Sequence, residues 1–410
     1  MATVSVIIVS HGRPRALKRC LLAVRQLLYP EFEIVVVADG GGLRAIHGTP
    51  QSSAIKSVQF DEENISAARN IGIGLAAGEV VAFIDDDAVP EPTWLTHLVS
   101  AFDDTEVAAA GGYVRGRNGV SWQWRAAWVD AAGARHPLTL PDDRPVVLHP
   151  KPGRAIKTEG TNMAFRREVI AGIGGFDPAF RFFLDETDVN LRLARGGHAA
   201  AIVPLAEVHH GFAASARRRD DRVPRDLFEI GASHAAFLLR HCPVNERPAQ
   251  AAAFTDEQRR RLLRHLVAGR LEPRDVRHLL QRLAQGMAEG RTRAPSALPA
   301  LPRSSAAFLP IKRSAVPQSR IHYGRWRIRT KIRQKAAHDV AAGHIATVMI
   351  FSFSALFGRV LFTESGFWEH SGGQFGQMKR QGKLFQIRRF AGKCQNETNR
   401  VRAVRGLSRP

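Results

Sequence analysis

Val80-Val81-Ala82-Phe83-Ile84-Asp85-Asp86-Asp87 is the stretch that decides how this chain folds. Five apolar residues in a row predict a strand buried on both faces, as in a parallel sheet covered by helices. The three carboxylates that end it repel one another and raise each other's pKa. A divalent cation is the usual way to make such a cluster favourable, because hard cations prefer carboxylate oxygens. Ala88-Val89-Pro90 follows, which puts the acids at the carboxyl edge of the sheet, where open α/β folds bind ligands. The competing reading of an isolated triplet is a solvated acidic turn.

Outward from this strand, residues 1–115 alternate strand and helix patterns, predicting a mostly parallel sheet with helices on both faces. Residues 4–9 form a second continuous apolar run, and residues 14–28 carry Leu17, Cys20, Leu21, Val24 and Leu28 at helical spacing. A strand over 32–38 ends at Asp39-Gly40-Gly41-Gly42, read as a turn, and residues 58–60 suggest a short strand. Ser66 is the expected cap of a helix running to Ala77, which Gly78 ends; Pro92 and Thr93 open another, to about Phe102. Residues 122–152, with Pro137, Pro141, Pro145 and Pro150, read as a long irregular binding loop or lid. A helix is expected over 185–195. Residues 255–290 read as a helical hairpin, with Thr255 and Gln258 at capping-box spacing and Gly269 ending its first helix.

Charge divides the chain. Residues 291–410 hold 23 Lys and Arg against 4 Asp and Glu, nearly all of the net +21. The expected organisation is a catalytic α/β unit over 1–245, the hairpin over 250–290 and a basic linker over 291–338 marked by Pro295, Pro299, Pro302 and Pro310. A small apolar element over 339–370 and a disordered basic tail over 371–410 would complete it. Cys20, Cys242 and Cys394 show neither metal-ligand spacing nor a disulfide framework. No signal-peptide pattern is visible, and the best membrane-span candidate, residues 345–362, is interrupted by Ser352, Ser354, Gly358 and Arg359. The expected setting is cytoplasmic, with the inner membrane face as a place of peripheral attachment.

Chemistry-bearing residues recur at strand ends and helix starts. A carboxylate at Asp39 can accept from a nucleobase or a ribose hydroxyl. Arg69, near a helix start in Ala67-Ala68-Arg69-Asn70-Ile71-Gly72, can reach a phosphate. Asp185 and Glu186 in Phe183-Leu184-Asp185-Glu186-Thr187-Asp188 can supply a general base, or merely offset a helix dipole. An imidazole at His209 or His210 can complete a metal site with the Asp triplet.

This ordered set resembles the family 2 glycosyltransferases over roughly residues 3–215, including Val4-Ser5-Val6-Ile7-Ile8, Gly78-Glu79, Gly160 to Phe165 and Gly174 to Asp177. The resemblance implies a GT-A fold, Rossmann-like, and metal-dependent, inverting hexosyl-type transfer from a nucleotide-diphosphate sugar to an acceptor hydroxyl. The process it suggests is cell-surface polysaccharide synthesis. By the same resemblance Val9, His11, Asp39, Arg69, Asp85 and Asp86 bind the donor. Asp85, Asp87 and His210 hold Mn2+ or Mg2+, with His209 as the adjacent alternative to His210. Glu186 or Asp185 is the base; the family's usual order is Glu-Asp, reversed here. Gly160, Thr161, Asn162, Met163 and Asp188 border a glycan or lipid-linked acceptor. Ser10-His11-Gly12 departs from the common Thr-Tyr-Asn, which alters how the base is stacked.

Two other functions compete. Arg320, Arg325, Arg327, Arg329, Lys331, Arg333 and Lys335, with Tyr323 and Trp326 among them, suit an anionic membrane surface or nucleic acid; no nucleic-acid recognition module is visible, so none is expected as a partner. A nucleotidyltransferase would want a Gly-rich basic loop after the first strand, which Ser10-His11-Gly12-Arg13-Pro14-Arg15 imitates poorly.

Overall fold

The computed structural model describes residues 1–49, 52–293, 297–313, 316–379 and 383–407. Its first half is built from β1 (Val4–Ser10), α1 (Pro14–Val24), β2 (Phe32–Ala38), α2 (Gly40–His47), β3 (Ile55–Gln59), α3 (Ile65–Leu75), β4 (Val80–Asp85), β5 (Ala88–Pro90), α4 (Trp94–Ser100) and β6 (Val107–Arg115). Short strands follow: β7 (Trp122–Trp124), β8 (Ala127–Asp130), β9 (Arg135–Pro137), β10 (Val146–Leu148), β11 (Arg154–Lys157) and β12 (Met163–Arg166). Then come α5 (Arg167–Gly172), α6 (Asp185–Arg195), β13 (Ala199–His210), α7 (Phe228–His241), α8 (Arg247–Val267) and α9 (Pro273–Gly290). The last part holds β14 (Ser319–Arg325), α10 (Arg329–Ala341), β15 (Ile345–Ser352), β16 (Arg359–Phe362), β17 (Trp368–Gly373) and α11 (Phe390–Val401).

The main sheet has the order β10-β13-β6-β12-β4-β1-β2-β3, with β5 added to β13 and β7 to β6. β4, β1, β2 and β3 are parallel, and β12 runs antiparallel between β4 and β6. This is the expected α/β architecture. The apolar runs in β1 and β4 are continuous because both faces are covered: Val4, Val6 and Ile8 pack towards α1 and α4, while Ile7, Val81 and Phe83 pack on the other side. Gly72 lets α3 approach closely, since a Cβ there would lie 2.5 Å from Ile7 Cγ2.

Several local expectations are corrected. Asp39 caps a helix, α2, despite its three glycines, by accepting from Gly42 N. Asn64 rather than Ser66 caps α3, because Asn64 Oδ1 receives Ala67 N while the Ser66 hydroxyl donates to Phe180 O. The 122–152 loop contains β7 to β10, and β8 and β9 join β11 in a three-stranded sheet. Thr255 lies inside α8 with its hydroxyl bonded to Ala251 O, and the capping box belongs instead to Glu272 and Asp275 on α9.

The largest correction concerns the basic C-terminal third. Residues 319–338, read as linker, form β14 and most of α10, and β14-β15-β17-β16 make a four-stranded sheet. The segment before it lies along the main sheet, where Leu309 N donates to buried Glu33 and Ile311 N to Phe32 O. The tail read as disordered carries α11, and Arg405 beyond it is completely buried. Its guanidinium pairs in a fork with Glu91, at 2.9 and 3.1 Å, and stacks 4.2 Å from the Trp368 ring centroid. Basic residues of the 320–335 stretch are partly spent, Arg320 on Asp339 and Arg333 on Glu369. Pro295, and residues 380–382 and 408–410 of the expected tail, lie outside the described residues. Residues 345–362 form β15 and β16, and among the described residues no helix is long and apolar enough to cross a membrane.

His370, on β17, lies fully buried beside Arg405, and burial, with Arg405 and Arg400 adding to it, pushes its pKa down to about 3. The unfolded chain then takes up a proton below pH about 6.5 that the folded chain refuses, so this contribution is full above that pH and lost as pH falls. Asp86 and Asp185, raised by burial, act in the opposite sense, so the readout is a difference. The stability of wild type minus that of His370→Gln is expected to fall by about 1.4 kcal/mol per pH unit below 6.5 in urea titrations. A pH-independent difference would mean that His370 is not held neutral.

Candidate active site

A cavity of about 580 Å³ opens at the carboxyl ends of β1 and β4, and Asp85, Asp87, His210, Asp185 and Glu186 are among the residues that line it. The acids reach it because β4 ends where the sheet does. His210 reaches it because β13 is long: its last residues pair with β5, putting His210 opposite Ala88. Alternation along β13 sends His210 to the cavity and its neighbour His209 to the C-terminal sheet, against Trp368 and Glu91.

His210 Nε2 lies 3.1 Å from Asp87 Oδ1 and 3.9 Å from Asp85 Oδ2, and Nδ1 lies 3.1 Å from Gln123 Oε1. With Gln123 accepting from Nδ1, Nε2 is the nitrogen left to face the carboxylates, the arrangement that orients an imidazole for metal binding. Ligand atoms of Asp85, Asp87 and His210 all fall within 4.8 Å of one another. Two hard carboxylates and one imidazole fit a divalent ion such as Mn2+ or Mg2+. Burial alone would raise Asp87, but His210 and Arg13 hold it well below the usual carboxylate range. Its Oδ2 also accepts from Ala213 N at 2.6 Å, which pins the 211–218 segment over the cavity.

Asp86 departs from the expected donor-binding role. It is fully buried, accepts from Ser10 Oγ at 2.7 Å and pairs with Arg13 at 2.8 Å, and burial pushes it up to about 7. It is an internal brace, pointing away from the cavity that its neighbours line. Asp39 is likewise absent from the cavity wall, accepting from Gly12 N and Gly42 N. Val9 and His11 do line the cavity.

Arg69 ties the two acid groups together. It pairs with Asp185, lies 3.4 Å from Asp85, and donates to Gly160 O at 3.0 Å while sitting between the Phe83 and Phe176 rings. Only 3% exposed, it is a strut more than a phosphate hook. Asp185 and Glu186 start α6 after Leu184, whose φ of 65° places a non-glycine residue in the left-handed region. Such strain persists only where packing enforces it, here with Leu184 buried beside Phe237. Burial pushes Asp185 up to about 7 against the pull of Arg69, with Glu186 adding to the rise. Burial would also raise Glu186, but the Lys157 ammonium holds it down at about 2.

Of the acceptor positions, Gly160 and Thr161 line the cavity and three do not. Asn162 is buried, its amide bonding Tyr113 O, Ala206 O and the Trp94 indole. Met163 is wholly core. Asp188 faces away, paired with His241 and Arg192. Spacing along one segment could not reveal this, because the direction of each side chain is set by partners distant in the chain, such as Tyr113 and Ala206 for Asn162 and His241 for Asp188. Sequence reasoning also missed Gln123, Lys157 and Arg218, each supplied by a segment without a recognisable pattern. Arg218 lines the cavity near Asp87, donates to Ala213 O, and keeps its Nε without a partner among the described residues.

Residues 5–174 match the model for glycosyl transferase family 2. The chain is therefore similar to that family over less than half of its length. Over 254 residues it is 29% identical to the O-antigen biosynthesis protein RfbC of Myxococcus xanthus, covering 57% of this chain and 19% of that one. Over 190 residues it is 30% identical to the glucosyl-dolichyl phosphate glucuronosyltransferase of Haloferax volcanii, covering 42% and 56%. The matched regions thus span from about a fifth to just over half of these relatives' own length. Mannosyltransferase PcManGT from Pyrobaculum calidifontis, solved with GDP-Man and Mn2+, aligns over 70% of this chain and 87% of that one, with 19% identity. Its TM-score of 0.43 is too loose to carry an argument, and the α/β assignment rests on the sheet itself.

Proposed function

We propose that this chain is a family 2 glycosyltransferase that moves a sugar from a nucleoside-diphosphate sugar to an acceptor hydroxyl with inversion at the anomeric carbon, in the synthesis of a cell-surface glycan or polysaccharide. The observation that supports this reading is that Asp85, Asp87 and His210, whose ligand atoms lie close together, line the same cavity as Asp185 and Glu186. The names of the two relatives support a glycan or lipid-linked acceptor.

Asp85, Asp87 and His210 would hold a divalent cation, which supplies Lewis-acid stabilisation of the departing diphosphate when bound. Arg218, which lines the cavity, and Arg13 beside Asp87 add positive charge for the same anion. Val9 and His11 border the donor. Glu186, kept ionised by Lys157, takes the proton from the acceptor hydroxyl as that oxygen attacks the face opposite the leaving group. Asp185 and Arg69 hold that carboxylate at a fixed place relative to the acid cluster, and such positioning supplies much of the rate.

Release of UDP, GDP or dTDP from a matching sugar nucleotide, measured with Mn2+ present, is the direct test. Pyrophosphate as the product would replace this reading with nucleotidyl transfer, and a retained anomeric configuration in the product would remove the inversion.

Base identity has its own signature. Glu186→Gln is expected to lower kcat by about 10²- to 10⁴-fold while nucleotide affinity stays within a few-fold. A base must be deprotonated to work, so a group held near 2 gives no acid limb in kcat/KM between pH 5 and 8. A limb near pH 7 that survives in Glu186→Gln and disappears in Asp185→Asn would transfer the role to Asp185.

A further inference from the structure

The carboxyl ends of the parallel strands β14, β15 and β17 lie along one edge of the C-terminal sheet, because Arg325 is in register with Phe351 and Ser352 with Gly373. The segments that leave this edge carry most of the chain's large apolar side chains left in solvent. Trp326 and Ile328 follow β14, Phe353 and Leu356 follow β15, and the 384–387 segment is bonded to the residues following β17. Exposure of Phe353, Leu384 and Ile387 is 78, 79 and 89%. The segments after β15 and β17 form one patch: the Phe375 ring lies 4.9 Å from Phe353 and 5.4 Å from Phe385, and Gln386 N donates to Phe375 O, while Arg325 at the end of β14 donates to Gln374 beside it.

The charge around the patch has a single sign. Residues 340–363 and 370–396 contain no Asp or Glu, whereas Lys379, Lys383 and Arg389 are exposed, as are Arg327 and Arg359. Of the four acids beyond residue 290, Asp339, Glu369 and Glu397 are spent on internal partners, Arg320, Arg333 and Arg400. Loops bearing apolar tips within a ring of cations have the chemistry of a surface that inserts side chains below lipid headgroups while cations meet the phosphates.

We propose that this strand edge docks the protein on an anionic lipid surface. The occupant follows from the mixture of groups. A second copy would bring the same positive charge and be repelled. Nucleic acid would use the cations and aromatic rings but leave Leu356, Leu384 and Ile387 without a hydrocarbon partner. Of the 320–335 stretch the site takes in only the residues just after β14, since Arg320 and Arg333 are committed to internal ion pairs, and it does not depend on the sugar-transfer reading.

Sedimentation of the full chain with phosphatidylcholine/phosphatidylglycerol vesicles, compared with phosphatidylcholine alone, tests the proposal. Binding is expected to the anionic vesicles only, to weaken with salt, and to fall by about ten-fold or more in Leu384→Ser/Ile387→Ser. Both substituted side chains are exposed, so the variant should keep the wild-type thermal melt, which controls for folding. Lys383→Gln/Arg389→Gln, which leaves the apolar tips intact, is expected to weaken binding to the anionic vesicles as well. No vesicle binding, or binding that both variants retain, overturns the proposal. Concentration-dependent dimers abolished by Leu384→Ser/Ile387→Ser would assign the patch to a second copy. An oligonucleotide complex lost in the same variant would assign it to nucleic acid.

Discussion

Asp87→Asn is expected to abolish Mn2+-dependent nucleotide binding and to lower transfer by about three orders of magnitude, since charge stabilisation at a leaving group is worth several kcal/mol. Asn keeps one oxygen for Ala213 N, so the 211–218 segment has a partner and the loss can be read at the cation site. Asp86→Asn is the informative contrast. Asp86 is buried between Ser10 and Arg13, so its substitution should leave the metal requirement in place and appear mainly as lost stability. Calorimetric titration of UDP, GDP and dTDP with and without Mn2+ measures both. Equal loss of binding in the two variants, with both folded, would show that the triplet acts as one unit and that the separation of roles is wrong.

Arg405→Met is expected to destabilise the fold by about 3–5 kcal/mol, the cost of leaving one member of a buried ion pair without its partner. Glu91 is fully buried, and although burial alone would raise it, Arg405 and His209 hold it far below the usual carboxylate range. With Arg405 gone, Glu91 keeps only the His209 imidazole beside it, so it must take up a proton or remain charged with that weaker partner. Adding Glu91→Gln should therefore recover a large part of the loss. Urea unfolding of the two single variants and the double variant gives the coupling. A single-variant cost below about 1 kcal/mol would mean that the pair is no better than a surface salt bridge. His209 also contacts Glu91 and precedes His210, so Arg405→Met should weaken cation binding at Asp85 and Asp87 as well.

Much of the site was legible in the sequence because its pieces terminate regular elements. A buried strand must end at the sheet edge, so acids following Val80-Val81-Ala82-Phe83-Ile84 are placed by the hydrophobic pattern alone. Asp185 and Glu186 were legible for a related reason, as acids opening a helix. Gln123, Lys157 and Arg218 were not, because each sits in a short strand or loop whose local sequence has no period, and only the folded chain brings Gln123 and Arg218 to the cavity and Lys157 to Glu186. The same limit explains Asp86, Asn162, Met163 and Asp188, which lie beside residues that line the cavity but face the other way.

The basic third shows the limit most plainly. Its composition of Arg, Pro and Gly matches that of a solvated tail, yet Arg405 and Lys393 are completely buried and Arg405 pairs with an acid 314 positions away. A charged residue is inexpensive to bury only where a partner waits, and the partner's place is a property of the fold. By itself, then, the sequence determined the α/β sheet, the edge on which the cavity opens and the acids held there, since periodicity and strand ends are local. Tertiary structure alone decided which of three adjacent aspartates face the cavity, which of two adjacent histidines joins them, and that the basic third folds back to cover the other face of that strand, because direction and pairing depend on residues far apart in the chain.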